Sequence, residues 1–216
     1  MKLISKESAT VTFNAVADEI KPMKGYYLPH LFDRIAQRYA LQEAPSVEQS
    51  RKTGAKFGTG QFISNGSEIN ISELAIYNDG ISATTTDSED SEVVVNDMFS
   101  WLKAELDFRD PPTPIFKTYQ SLLVVEFERD PSEKLATLAP MMASIQREIG
   151  AVNAQASTAP AFQFQRLVFA FEGAPDITAF SIERRIGIPW ASKRYFCRAP
   201  LTTAAHLRVL QQMEDL

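Results

Sequence analysis

The chain has one cysteine and two histidines in 216 residues. Cys197, being alone, forms no internal disulfide, and one cysteine with two histidines leaves little for a structural zinc site. That usage fits a reducing compartment, so the cytoplasm is the expected location. No apolar run approaches the roughly 18 residues of a membrane span, and residues 1–13 lack the apolar centre of a signal peptide. No membrane association is expected. Catalytic signatures are missing too: the sequence holds no G-x-S-x-G elbow, Walker A loop, H-E-x-x-H, C-x-x-C or EF-hand loop. Without a nucleophile–base pair, a metal set or a cofactor loop, the sequence leans away from an enzyme and implies no cofactor.

Positive charge is also short. Lys and Arg number 22 against 27 Asp and Glu, a net charge of −5. A protein that coats nucleic acid or membrane with its whole surface needs the opposite balance. What the chain does have is an ordinary globular composition, 44% hydrophobic and 23% charged. That suffices for the core of one large domain or two small ones.

Residues 68–107 carry the clearest local pattern. A β-rich run over 69–77 meets Asn78-Asp79-Gly80, whose residues accept φ > 0 and close a tight hairpin. The return run over 81–86 is β-branched and half polar, as a strand with one wet face is. Four acids within 87–92 precede an amphipathic helix with Val95, Met98, Phe99, Leu102 and Leu106 on one stripe. Before this stretch, 10–16 reads as a strand and 27–41 as a helix bearing Leu28, Leu31, Phe32, Ile35 and Tyr39. Residues 44–53 are polar, carry Pro45 and read as an exposed loop. Residues 56–64 read as one strand, turning at Asn65-Gly66.

Pro111, Pro112 and Pro114 make 111–119 an extended connector. Residues 121–128 (SLLVVEFE) read as a strand covered on both faces. Asp130-Pro131-Ser132-Glu133 is a helix start, with Asp130 as N-cap and proline at the first position. Leu135, Leu138, Met142, Ile145 and Ile149 are its expected buried stripe. Pro140 kinks or splits that helix, one continuous kinked helix being the reading adopted, and Gly150 ends it. Residues 155–161 read as a small-residue loop, and 162–172 with 177–185 as a hairpin around Gly173-Ala174-Pro175-Asp176. Thr202 or Thr203 caps a last helix bearing Leu207, Leu210 and Met213.

The expected fold class is therefore α+β, a largely antiparallel or mixed sheet with helices packed on one face. Two halves, 1–110 and 120–216, share the order strand, helix, hairpin strands, helix, and can form one continuous domain across the 111–119 connector. The layout is similar, as a fold alone, to duplicated ferredoxin-like or small-ligand-binding sensor domains. No residue-level identity links the halves.

Candidate chemistry is sparse. The glycine-rich stretch 54–60 (GAKFGTG) reads as a turn leading into a strand rather than a phosphate cradle, because it does not run into a helix. Cys197 follows Tyr195 and Phe196 in an apolar setting and reads as a buried thiol rather than a partner for His206. His30 is expected to pack or cap, and the acids of 87–92 form a solvated edge rather than a cation site. One asymmetry stands out. Between Glu183 and Met213, six bases (Arg184, Arg185, Lys193, Arg194, Arg198, Arg208) face the single acid Glu183, a local net of +5. Trp190, Tyr195 and Phe196 interleave with them. Arginine beside aromatics is the composition of protein hot spots and of phosphate or base-stacking sites; the bland alternative is internal pairing with the acidic half.

The leading expectation is a non-enzymatic protein-interaction module. It binds an acidic protein partner through Arg184, Arg185, Trp190, Lys193, Arg194, Tyr195 and Arg198. The alternatives are a nucleotide- or nucleic-acid-binding protein or enzyme gripping phosphate with the same bases, and a small-ligand sensor with a cleft between the halves. A homo-oligomer is compatible with all three.

Overall fold

The computed structural model describes residues 1–112, 114–152, 164–170, 172 and 178–215. In chain order the first half runs β1 (Lys2–Asn14), α1 (Ala17–Ile20), α2 (Leu28–Arg38), α3 (Val47–Thr53), β2 (Ala55–Phe57), β3 (Gly60–Ser64), β4 (Ser67–Ile71), β5 (Glu73–Tyr77), β6 (Gly80–Thr85) and α4 (Ser88–Leu106). The second runs β7 (Phe116–Glu126), a 3-10 segment (Pro131–Leu138), α5 (Ala139–Val152), β8 (Arg166–Phe169), β9 (Phe180–Arg184), a 3-10 turn (Trp190–Ser192), β10 (Arg194–Ala199) and α6 (Thr203–Asp215). The class is α+β, as the residue pattern implies.

Eight strands form one antiparallel sheet in the order β2-β5-β6-β1-β7-β10-β9-β8. Read outward from the centre, β1, β6, β5 and β2 on one side repeat as β7, β10, β9 and β8 on the other. The two long central strands pair from Asn14 opposite Phe116 to Lys2 opposite Glu126. β3 and β4 make a separate hairpin closed by Asn65-Gly66, both at positive φ.

The side-chain period of two decides which face is covered. On β1, Ala9, Val11 and Phe13 are buried while Thr10 and Thr12 between them are half-exposed. Val11 and Phe13 join Leu31, Phe32 and Ile35 of α2 and Val94, Val95, Met98 and Leu102 of α4 in one core. A smaller core in the second half holds Leu123, Val125, Phe127, Ile182, Tyr195, Cys197 and Leu210 of α6. On the other sheet face Thr10 and Thr84 hydrogen-bond at 2.9 Å.

Several expectations change. Residues 47–53 are helical, not loop: Ser46 accepts from Gln49 N–H while Gln49 Oε1 accepts from Ser46 N–H, a complete capping box. The run 56–64 is two strands in two sheets, because Gly60 lies against the carbonyl of Tyr39, where a Cβ would come within 2.4 Å. The run 69–77 likewise divides at Ser72. β1 begins at Lys2 rather than at residue 10, and β7 begins at Phe116, inside the proline-rich stretch.

The helix expected over 131–149 is divided. Asp130 caps it as expected, accepting from Ser132 N–H at 2.9 Å, but the first eight residues are 3-10 and Leu135 leaves helical φ/ψ. Pro140 then stands in the first turn of α5, where its missing N–H costs nothing. Gly150 does not end α5, which runs to Val152. The stripe is not buried: Leu138 is 40% exposed. The hairpin of β8 and β9 forms as expected; its turn and the 155–161 loop lie outside the described residues.

Candidate interaction face

β10 sorts the arginine–aromatic segment by alternation. Tyr195, Cys197 and Ala199 point into the second core and are buried, while Arg194, Phe196 and Arg198 point to the open face. The register continues this outward set across the sheet: Phe196 lies opposite Val124 and Glu183, Arg198 opposite Leu122 and Ser181, and Arg194 opposite Glu126. On β8, Arg166 lies opposite Glu183. The seven residues expected to form one surface therefore divide between two sides of the sheet.

On the inner side, Arg184 and Tyr195 are structural. Arg184 ion-pairs with Asp130, donates to the Trp190 carbonyl at 3.1 Å, and lies over the Trp190 ring at 4.0 Å and the Tyr195 ring at 4.9 Å. Tyr195 Oη donates to Asp130 at 2.7 Å. Burial opposes ionisation of Asp130, but the hydrogen bonds from Tyr195, Ser132 and Arg184 outweigh it and hold the carboxyl below its usual range. Burial, then the Asp130 charge, pushes the Tyr195 phenol up. This cluster fixes the start of the 3-10 segment to the sheet. It is the internal-pairing alternative, realised for Arg184 and Tyr195.

On the outer side, Arg194 pairs with Glu126 at 3.1 Å and Arg166 with Glu183 at 3.7 Å. Arg185 lies over the Phe196 ring at 5.9 Å. Arg185 and Arg198 are exposed and have no ion pair among the described residues. Lys193, at positive φ, turns the chain into β10 and donates its ammonium to the Glu128 carbonyl. At the loop rim Ile186 is 83% exposed and Trp190 44%.

The remaining candidates are quiet chemically. Burial pushes the Cys197 thiol up to about 12, so it stays protonated and unreactive near neutral pH. His206 Nδ1 lies 2.8 Å from Ser121 Oγ, a pair the sequence did not suggest. Both are fully buried, and burial pulls the imidazole down to about 4. A serine no substrate can reach is not a nucleophile. His30 is exposed in the first turn of α2, where the N-cap Tyr27 makes no side-chain capping bond. Of the acids near α4, three are engaged rather than merely solvated: Asp87 with Lys6, Glu92 with Lys117 at 2.5 Å, and Asp97 with Arg38 and Tyr39, both at 2.7 Å. Among the described residues no group of three or more His, Cys, Asp or Glu could hold a metal ion. No helix among them is long and apolar enough to cross a membrane.

No protein-family model matches the chain. No curated protein matches its sequence. Among solved structures the chain is similar to Methanococcus jannaschii TBP, at 14% identity over 96% of this chain and 94% of that one, with a TM-score of 0.44.

Proposed function

We propose that the chain is a non-enzymatic interaction module that binds an acidic segment of a partner protein on the open face of β7, β9 and β10. One observation carries this reading: Arg185 and Arg198, neither of them ion-paired among the described residues, share the open face with the half-exposed ring of Phe196. In a chain of net charge −5, Arg166, Arg185, Arg194 and Arg198 gather there, with Glu183 and Glu126 paired to Arg166 and Arg194. Guanidinium groups bind carboxylates in a planar two-point geometry, and an aromatic beside them supplies desolvated contact area. The two glutamates inside the patch work against a phosphate track, which favours protein over nucleic acid. The reading includes a cytoplasmic setting and no cofactor.

The test is a titration with a fluorescent Asp/Glu-rich peptide containing one aromatic residue. Arg185→Glu with Arg198→Glu should weaken binding at least about tenfold, roughly 1.4 kcal/mol. A control at exposed bases elsewhere, Arg51→Glu with Lys52→Glu, should leave it unchanged. Equal loss in both variants, or no binding by the parent, removes the proposal.

A further inference from the structure

Phe57 and Phe169 occupy equivalent places, on the two outermost strands β2 and β8 of the sheet. Both lie on the helix-bearing side: Phe57 belongs to the first core, and Phe169 pairs with Phe180, which packs against the second. Their exposures differ sharply, 1% for Phe57 and 59% for Phe169. The cause is α2. Phe32 meets Phe57 edge-on with ring centroids 5.7 Å apart, and Leu31 and Ile35 are buried beside it.

The helix holding the place of α2 in the second half is α5. None of its side chains whose burial is described is buried. Met141 is 54% exposed, with Met142 and Ile145 half-exposed on the same side. One half of the molecule thus carries an apolar helix stripe that is not buried and, on β8 and β9, an exposed Phe169 flanked by the half-exposed Leu167 and Phe180. Either surface alone would leave its partner open; together they are the two sides of the contact that α2 makes complete.

We infer that α5 docks in cis over the helix side of β8 and β9, setting Leu138, Met142 and Ile145 on Leu167, Phe169 and Phe180. The chain lengths match those of the first half. A connection of 13 residues (15–27) leads from β1 to α2, and one of 12 (127–138) leads from β7 to α5. α5 has 14 residues and α2 has 11. The docking arm is held at its root, since Pro131 is buried and Asp130 is bound by Tyr195 and Arg184. Beyond that root, residues 133–138 are mainly exposed. Docking leaves Arg147 and Glu148 in solvent, as an amphipathic helix requires. The site lies on the opposite side of the sheet from the proposed acidic-partner face, so the two inferences stand separately.

Methyl-to-aromatic nuclear Overhauser effects test this on the full chain. The expected result is cross-peaks from the Met142 and Ile145 methyls to the Phe169 ring in a uniformly prepared sample. They should be absent when methyl-labelled chains are mixed with chains carrying the protonated rings. Phe169→Asp should lower amide-exchange protection over 141–148 at least tenfold and leave α4 unchanged. Cross-peaks that persist in the mixed sample would assign the patch to a second copy. Their absence, with exchange unaffected by Phe169→Asp, would show that α5 stays undocked. Either result overturns the inference.

Discussion

Ser88 and Thr203 cap each other's helices across the middle of the molecule. Ser88 N–H donates to Thr203 Oγ1 at 3.0 Å, and Thr203 N–H donates to Ser88 Oγ at 2.9 Å. Each is the first residue of its helix, α4 or α6, and each is 2% exposed. The exchange satisfies two amides that a helix start leaves without partners. Three residues on, the correspondence continues: Ser91 donates to the Ala9 carbonyl at 2.8 Å while His206 meets Ser121, and Ala9 pairs with Ser121 in the sheet.

Losing either hydroxyl leaves a buried N–H unpaired, so Ser88→Ala and Thr203→Val should each cost about 1–3 kcal/mol. Each single variant breaks a different one of the two bonds, and the double variant should depart from the sum only because the bonds are exchanged between one pair of contacting residues. Urea unfolding of the four-member cycle measures this. Additive losses would mean the two caps act independently.

Acid should weaken the fold in two separable windows. The folded-state pKa of His206 lies near 4, below its unfolded value of 6.5. The unfolded chain therefore binds that proton first, and stability falls as pH drops from about 6.5 to 4, by about 3 kcal/mol in all. Asp130, held below its usual range, contributes stability above its unfolded pKa that is lost only on further acidification. His206→Gln should flatten the first window and leave the second. A stability profile identical to that of the parent between pH 6.5 and 4 would refute the assignment.

Neighbouring arginines should behave oppositely. Arg184→Ala strands Asp130 in a site where Arg184 is 8% and Asp130 14% exposed, and should cost about 3–5 kcal/mol. Arg185→Ala, exposed and without an ion pair among the described residues, should stay within about 0.5 kcal/mol. Chemical denaturation of the two single variants decides it, and equal costs would contradict the inner and outer sorting.

Pro140 favours its own helix start. It is exposed in the first turn of α5, so Pro140→Ala gains no hydrogen bond and frees the unfolded chain. A loss of about 0.4–1 kcal/mol in a thermal melt is expected. Stabilisation instead would restore a single continuous kinked helix.

Much of this was legible in the residues. Asn78-Asp79-Gly80 and Asn65-Gly66 close the hairpins they announce, and Asp130-Pro131 starts a helix. The capping box at Ser46 and Gln49 was written in the sequence but outweighed by Pro45 and the polar run around it. The division at Gly60 depends on the distant Tyr39 carbonyl, which no local pattern reports. For the candidate site, charge and aromatic content located the segment, whereas strand alternation decides which residues face out. Arg194, Phe196 and Arg198 alternate with Tyr195, Cys197 and Ala199 at period two, a signal that composition averages away. The pairing of Arg184 with Asp130, 54 positions apart, could come only from the fold.

The most direct measurement is amide chemical-shift mapping of the intact chain during titration with the acidic peptide, repeated with a single-stranded oligonucleotide of equal charge. The account predicts that the peptide shifts Arg185, Phe196, Arg198 and their β7 neighbours Leu122 and Val124. The response should weaken as salt screens the guanidinium groups. Shifts centred elsewhere, or tighter binding of the oligonucleotide at the same residues, would contradict it.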